Sequence, residues 1–237
     1  ALFYDPLSQE VIDYVGGMPD LERRVVRTIG APDVRFREDP VRILRAIKFS
    51  ARLDLGLDPE LYDAIVDHRR ELSRSAKARV LEEVLRLLRG GAAHRSIFLC
   101  WDTGVLSETL PELAVFFDDS APDSELTWGR LAAIDDKKAD DVVTSDVGLM
   151  ALWPLVTVFA LLMAALLLGP IEEAIDGVDY PSEALEDIID AIGERLAMPR
   201  RMKDRIKVLV IALKRLRAGR QASLAHRDFF LEAVQLY

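Results

Sequence analysis

Residues 35–49 read Arg-Phe-Arg-Glu-Asp-Pro-Val-Arg-Ile-Leu-Arg-Ala-Ile-Lys-Phe, which sets two adjacent carboxylates, Glu38 and Asp39, at the head of a segment studded with bases. Asp39 is a natural helix N-cap, and Pro40 suits a first helical position, where its missing N–H costs nothing. Ile43, Leu44, Ile47 and Ala51 recur at helical spacing. The pattern predicts a helix that starts at Pro40, buries that stripe and fans Arg42, Arg45 and Lys48 across the opposite side. A carboxylate pair beside a guanidinium offers hydrogen-bond acceptors and a planar donor fork together, a combination that can read the edge of a nucleobase. Taken without its surroundings, the same trio is a helix cap with a first-turn ion pair.

Those side chains need a scaffold, and from Pro40 onward the chain reads almost entirely as helix. Asp58-Pro59 opens a second helix that runs to about residue 70. Ser73 or Ser75 caps a third, with Val80, Leu81, Val84, Leu85 and Leu88 as its apolar positions and Gly90-Gly91 as its stop. Further helices are expected over 93–104, 182–197, 200–216 and 227–236, with a short leucine-rich turn over 106–113. Residues 1 to 34 differ. Residues 2–4 and 25–29 are β-prone, Gly16-Gly17 marks a turn, Asp20 opens a brief helix, and both features read as structural. Two such strands cannot make an independent sheet domain, so this piece reads as the tail of a mixed α/β unit. The fold class is mainly α, multi-helical, with a small β remnant at the N-terminus.

Composition narrows the function classes. The chain has 237 residues, half of them hydrophobic, and a formal charge of −9, which argues against indiscriminate nucleic-acid binding. Residues 199–220 invert that balance with nine bases and one acid, Asp204. Arg200, Arg201, Lys203 and Lys207 lead this strip and are the candidates for contact with an RNA backbone. The uncharged run 148–171 is long enough to span a bilayer, but Pro154 interrupts it, acids flank it, and no basic cluster orients it. A buried helix of a helical core is the expectation, with no membrane partner. Ala1-Leu2-Phe3-Tyr4 lacks a basic leader segment, and the single Cys100 suits a reducing, cytoplasmic setting. Cys100 reads as a small core residue, as do Trp101, Trp128 and Trp153, while His68, His94 and His226 read as surface or helix-end residues. Asp118-Asp119, Asp135-Asp136 and Asp140-Asp141 belong to an acidic connector over 118–146.

Taken in order, Ala1-Leu2-Phe3-Tyr4-Asp5-Pro6, Asp13-Tyr14-Val15-Gly16-Gly17 with Asp20-Leu21, Arg27-Thr28-Ile29-Gly30 and the 35–46 segment resemble consecutive motifs of the class II nucleotidyltransferases. That family comprises bacterial poly(A) polymerases and CCA-adding tRNA nucleotidyltransferases. The resemblance implies a remnant of the catalytic head over 1–34, a helical neck that binds nucleotide and RNA over 35–115, and a helical, RNA-binding body over 116–237. It implies that Asp39 and Arg42 face the base of an incoming nucleotide, that Glu38 braces Arg42, and that Arg45 and Lys48 reach phosphate or RNA. Lys48 stands where the family usually has arginine, which replaces a bidentate fork by a point charge. The implied activity is addition of AMP from ATP to RNA 3′ ends, of mRNA or tRNA, with Mg²⁺ held by two head aspartates spaced one residue apart. No such pair stands in this chain, so no catalytic residue is assigned and the chain alone is expected to be inactive. Weaker matches lie near 106–113, 198–201 and 226–231, and the last two favour the poly(A) branch. The alternatives are CCA addition and, from a different class, a helical RNA-binding module without catalysis.

Overall fold

The computed structural model describes residues 2–88, 92–115 and 182–217, together with single positions outside those ranges, of which Phe117, Trp128, Leu131 and Asp135 enter the packing. The apolar run 148–171, most of the acidic connector and the expected helix at 227–236 lie outside the described residues.

Strands β1 (Leu2–Asp5) and β2 (Glu10–Asp13) form an antiparallel hairpin. After the turn at Gly16, whose φ of 76° suits a residue without a Cβ, comes the short helix α1 (Gly17–Glu22). Strand β3 (Val25–Val26) pairs in parallel with β4 (Gly56–Leu57), a partner that the sequence did not suggest. Gly56 N–H donates to the Arg24 carbonyl at 2.8 Å and Asp58 N–H to the Val26 carbonyl at 3.1 Å, which ties the N-terminal piece to the segment beyond the next two helices.

Those helices are α2 (Pro32–Glu38) and α3 (Arg42–Arg52). Helix α2 has no counterpart in the sequence reading, and Asp39 is its C-cap rather than an N-cap. Asp39 precedes Pro40, and the proline ring pushes the residue before it out of the helical region, here to φ −150° and ψ 94°. Pro40 still opens the turn that leads into α3, since Ile43 N–H donates to its carbonyl at 3.0 Å.

Helix α4 (Pro59–His68) begins as expected, with the Asp58 carboxylate accepting from Glu60 N–H. A 3-10 segment, Arg69–Arg74, follows, and its C-cap Ser75 is extended. Helix α5 (Lys77–Leu87) therefore starts from Ala76, uncapped by any side chain, while Ser73 Oγ donates to the Arg70 carbonyl inside the 3-10 segment. Then come α6 (Ala93–Asp102), α7 (Val105–Thr109), α8 (Pro111–Ala114), α9 (Ser182–Arg195) and α10 (Arg200–Arg217).

A single apolar core runs through this set. Phe36, Ile43, Leu44, Ile47, Leu61 and Ile65 meet Leu85, Leu88, Ile97 and Leu106, and Ile192, Leu196, Ile206 and Leu209 of the last two helices join the same cluster. Among the described residues, no helix is long and apolar enough to cross a membrane.

Candidate functional site

The elbow between α2 and α3 brings Glu38, Asp39 and Arg42 together. Arg42 Nη1 donates to Glu38 Oε2 at 2.7 Å and to the Arg35 carbonyl at 3.0 Å, and Arg35 Nη1 adds a second bond to Glu38 Oε2 at 2.8 Å. The hydrogen bond from Arg42 is the main reason the Glu38 carboxyl lies below its usual range. Asp39 is held from another helix, where Arg79 Nη2 of α5 donates to its Oδ2 at 2.8 Å. Burial pushes the Asp39 carboxyl up, but the Arg79 bond and charge outweigh it and leave the group lowered. Its Oδ1 is buried and accepts no hydrogen bond among the described residues. Of the carboxylate, 19% exposed as a whole, the accessible part is thus the side shared with Arg79, and the elbow presents this ionised group beside a braced guanidinium. An adenine edge, with an amino donor next to a ring-nitrogen acceptor, complements that pattern.

Arg45 and Lys48 go elsewhere. Both close on Glu83 of α5, Arg45 Nε at 3.0 Å and Lys48 Nζ at 2.8 Å, with Arg86 Nη1 a third donor at 3.2 Å. Glu83 is 3% exposed; burial raises its carboxyl, while Lys48 and Arg45 bring the group below its ordinary value. Lys48, expected on the solvent side, is itself buried. At about 100° per residue it lies some 40° around the helix from Leu44 and some 60° from Arg45, on the flank that α5 covers.

The basic strip divides in the same way. Arg200 and Arg201 are exposed at the start of α10. Lys203 and Lys207 turn toward α9 and donate to Asp190 at 3.2 and 2.6 Å, and Lys207 also lies 3.7 Å from Glu186. Those bonds lower the Asp190 carboxyl, Lys207 contributing most, and raise the Lys207 ammonium.

Sequence reasoning missed Arg79 and Glu83. Glu83 left a signal: it shares a helix face with Val80, Val84 and Leu87, so a carboxylate on an apolar stripe needed a buried cation. Nothing in the α5 sequence distinguishes Arg79 from its neighbours. The cap expected of Asp20 falls to Asp13, whose carboxylate accepts from the amides of Val15, Gly17 and Met18, while Asp20 takes Arg23 and Arg27. Asp135 is likewise structural, accepting from the Ala93 and His94 amides at the start of α6. His68 ends α4 as expected but is buried, between Asp33 and Glu71. Cys100 is buried, and desolvation pushes its thiol up to about 12. Trp101 and Trp128 pack against the core, whereas Trp153 lies outside the described residues. Among the described residues, no three His, Cys, Asp or Glu side chains gather to hold a metal ion. The Mg²⁺ implied by the resemblance therefore does not fit onto the described residues.

A family described as "Probable RNA and SrmB-binding site of polymerase A" matches residues 54–117. Poly(A) polymerase I of Escherichia coli O6:H1 is 32% identical over 211 residues, which cover 85% of this chain and 43% of the relative. The CCA-adding enzyme of Bacillus subtilis is 39% identical over 88 residues, 37% of this chain and 22% of that enzyme. The chain thus spans less than half the length of these relatives. Among solved structures, the Bacillus stearothermophilus CCA-adding enzyme in complex with CTP matches with a TM-score of 0.60 at 23% identity, covering 99% of this chain and 49% of that one. A tRNA nucleotidyltransferase complexed with a primer tRNA and an incoming ATP analog matches at 0.59 and 20% identity, covering 97% and 62%. At such identities the structural likeness speaks to the fold alone.

Proposed function

Because this chain belongs to the bacterial poly(A) polymerase and CCA-adding tRNA nucleotidyltransferase family, we propose that it is the neck and body of a template-independent enzyme that adds AMP from ATP to RNA 3′ ends in the cytoplasm. Residues 1–34 are then the end of the catalytic head, 35–115 the neck and 116–237 the body. The poly(A) branch is preferred because its relatives align over 85% of the chain, against 37–55% for the Bacillus CCA-adding enzymes.

The observation that carries the reading is the pairing of a braced Arg42 with a lowered Asp39 at the α2–α3 elbow. In the proposed mechanism the Asp39 carboxylate accepts from the adenine amino group and Arg42 donates to the adjacent ring nitrogen. Glu38 and Arg35 fix the guanidinium, so that its orientation is set before ATP arrives. Arg45 and Lys48 act by locking α3 onto α5 through Glu83, and of the two only Arg45, at 43% exposure, keeps surface for a phosphate. On the body, exposed Arg200 and Arg201 meet RNA phosphates, and Lys203 and Lys207 fix the helix that carries them. The divalent metal of the complete enzyme, Mg²⁺ in this reading, falls to groups other than those described, and no step is assigned to it.

Titration of the chain with ATP and GTP tests the base reading. ATP is expected to bind at least about fivefold more tightly, since a bidentate contact of this kind discriminates by roughly 1–3 kcal/mol. Arg42→Ala is expected to abolish the difference, and equal affinities for the unaltered chain would overturn the assignment. Primer extension by the enzyme that carries this chain separates the branches: homopolymeric A tails support the proposal, and a finite CCA end supports the alternative.

A further inference from the structure

Helix α3 carries one large side chain that neither its core nor the elbow uses. Phe49 is 51% exposed, in a helix seven of whose eleven residues are buried. It follows Arg42 and Arg45 and precedes Arg52 at spacings of three, four and three residues. Those four side chains fall within about 80° of one another around the axis and form one ridge about 15 Å long. The ridge is cationic and open. Arg42 and Arg45 are 30% and 43% exposed, and Arg52 is exposed and makes no ion pair among the described residues. Arg45 is tethered at Nε alone, which leaves the rest of its guanidinium fork available.

The ring is also held in place. Lys48 Nζ, fixed by Glu83, lies over Phe49 at 5.3 Å from its centroid. With a cation over the ring and half of the residue's surface in solvent, the ring keeps exposed apolar area for a stacking partner. An aromatic ring interleaved with arginines is the composition of a single-strand nucleic-acid track: the cations follow the phosphates, and the ring stacks on any base, because every base has a π-face. A duplex offers no such face along its length.

We propose that this ridge is the track on which the single-stranded 3′ end of the RNA approaches the elbow, with phosphates at Arg45 and Arg52 and one base stacked on Phe49. The inference rests on the function proposed above and adds a specific element to it. Stacking on Phe49 is indifferent to base identity, whereas the elbow about two turns away selects among nucleotides. A selective nucleotide site then sits beside a tolerant strand site.

The test measures binding of the chain, with ATP saturating the elbow throughout, to a twelve-nucleotide oligo(A) and to a ribose-phosphate oligomer of the same length without bases, at one fixed salt concentration. The unaltered chain is expected to prefer oligo(A) by at least about fivefold. Phe49→Ala is expected to remove that preference while affinity for the baseless strand is kept. Phe49→Trp is expected to retain it, with the indole fluorescence quenched by oligo(A) and not by the baseless strand. Thermal melting of both variants separates lost stacking from lost folding. A preference that survives in Phe49→Ala, or an unaltered chain without any preference, would overturn the track. The ATP and GTP titration decides the fate of the parent reading: if ATP selectivity through Arg42 holds while Phe49→Ala changes nothing, the ridge assignment alone falls.

Discussion

Glu83 shows how much of α3 depends on a residue outside it. Its carboxylate answers Lys48, Arg45 and Arg86 from a position 3% exposed. Removing one side of a buried pair leaves the other charge without compensation, at about 3–5 kcal/mol. Glu83→Gln is therefore expected to lower the unfolding free energy in urea by about that much. The joint change Glu83→Leu with Lys48→Met is expected to recover most of the loss, and a double variant as unstable as the single one would show that the buried charge is not the cause. Cys100, whose thiol is pushed up to about 12, is expected to stay unreactive toward a disulfide reagent until the chain is unfolded. The identities of Glu38, Asp39 and Arg42 and their proximity were legible in the sequence because four residues of helix or turn suffice to join them. Arg79 was not, because its contact with Asp39 closes over forty residues and depends on how α5 lies against the elbow.

At the scale of elements, helical periodicity located most helices, and their boundaries were lost where local chemistry competed. Pro40 is an example: the same ring that favours a first helical turn forced Asp39 out of the helix, and one expected element became two. The short helix α1 depends on a different device, the Asp13 carboxylate, which collects the Met18, Gly17 and Val15 amides and is thereby lowered from 3.8 to about 2. A depressed carboxyl contributes stability that is fully present above 3.8 and is lost as pH falls through about 2. The Gly17 and Met18 amide resonances are expected to titrate with a midpoint near 2 rather than near 3.8. Asp13→Asn is expected to remove that titration, and a midpoint at the ordinary carboxylate value would mean that the cap is not formed in solution.

Across the whole molecule, charge is unevenly distributed. The net charge is −9, yet Arg200 and Arg201 stand exposed on α10 while the neighbouring lysines are spent on Asp190. Each phosphate contact to a single strand adds about 0.7 to the slope of log affinity against log salt. Arg200→Glu with Arg201→Glu is expected to flatten that slope by about 1.4, and an unchanged slope would place the RNA elsewhere. The strip was visible in the sequence as a run of bases; which of them face solvent was not, because that depends on the acids of α9. The common core was equally hidden, since periodicity gives the apolar face of each helix and not the face it meets. The two-residue ladder between β3 and β4 has a practical side. Deleting residues 1–34 would leave the Gly56 and Asp58 amides without their acceptors and would remove the Arg24 partner of Asp54. The contacts that hold the N-terminal residues thus reach past the boundary proposed at residue 34, and a protease that nicks the chain there is expected to yield two pieces that still travel together.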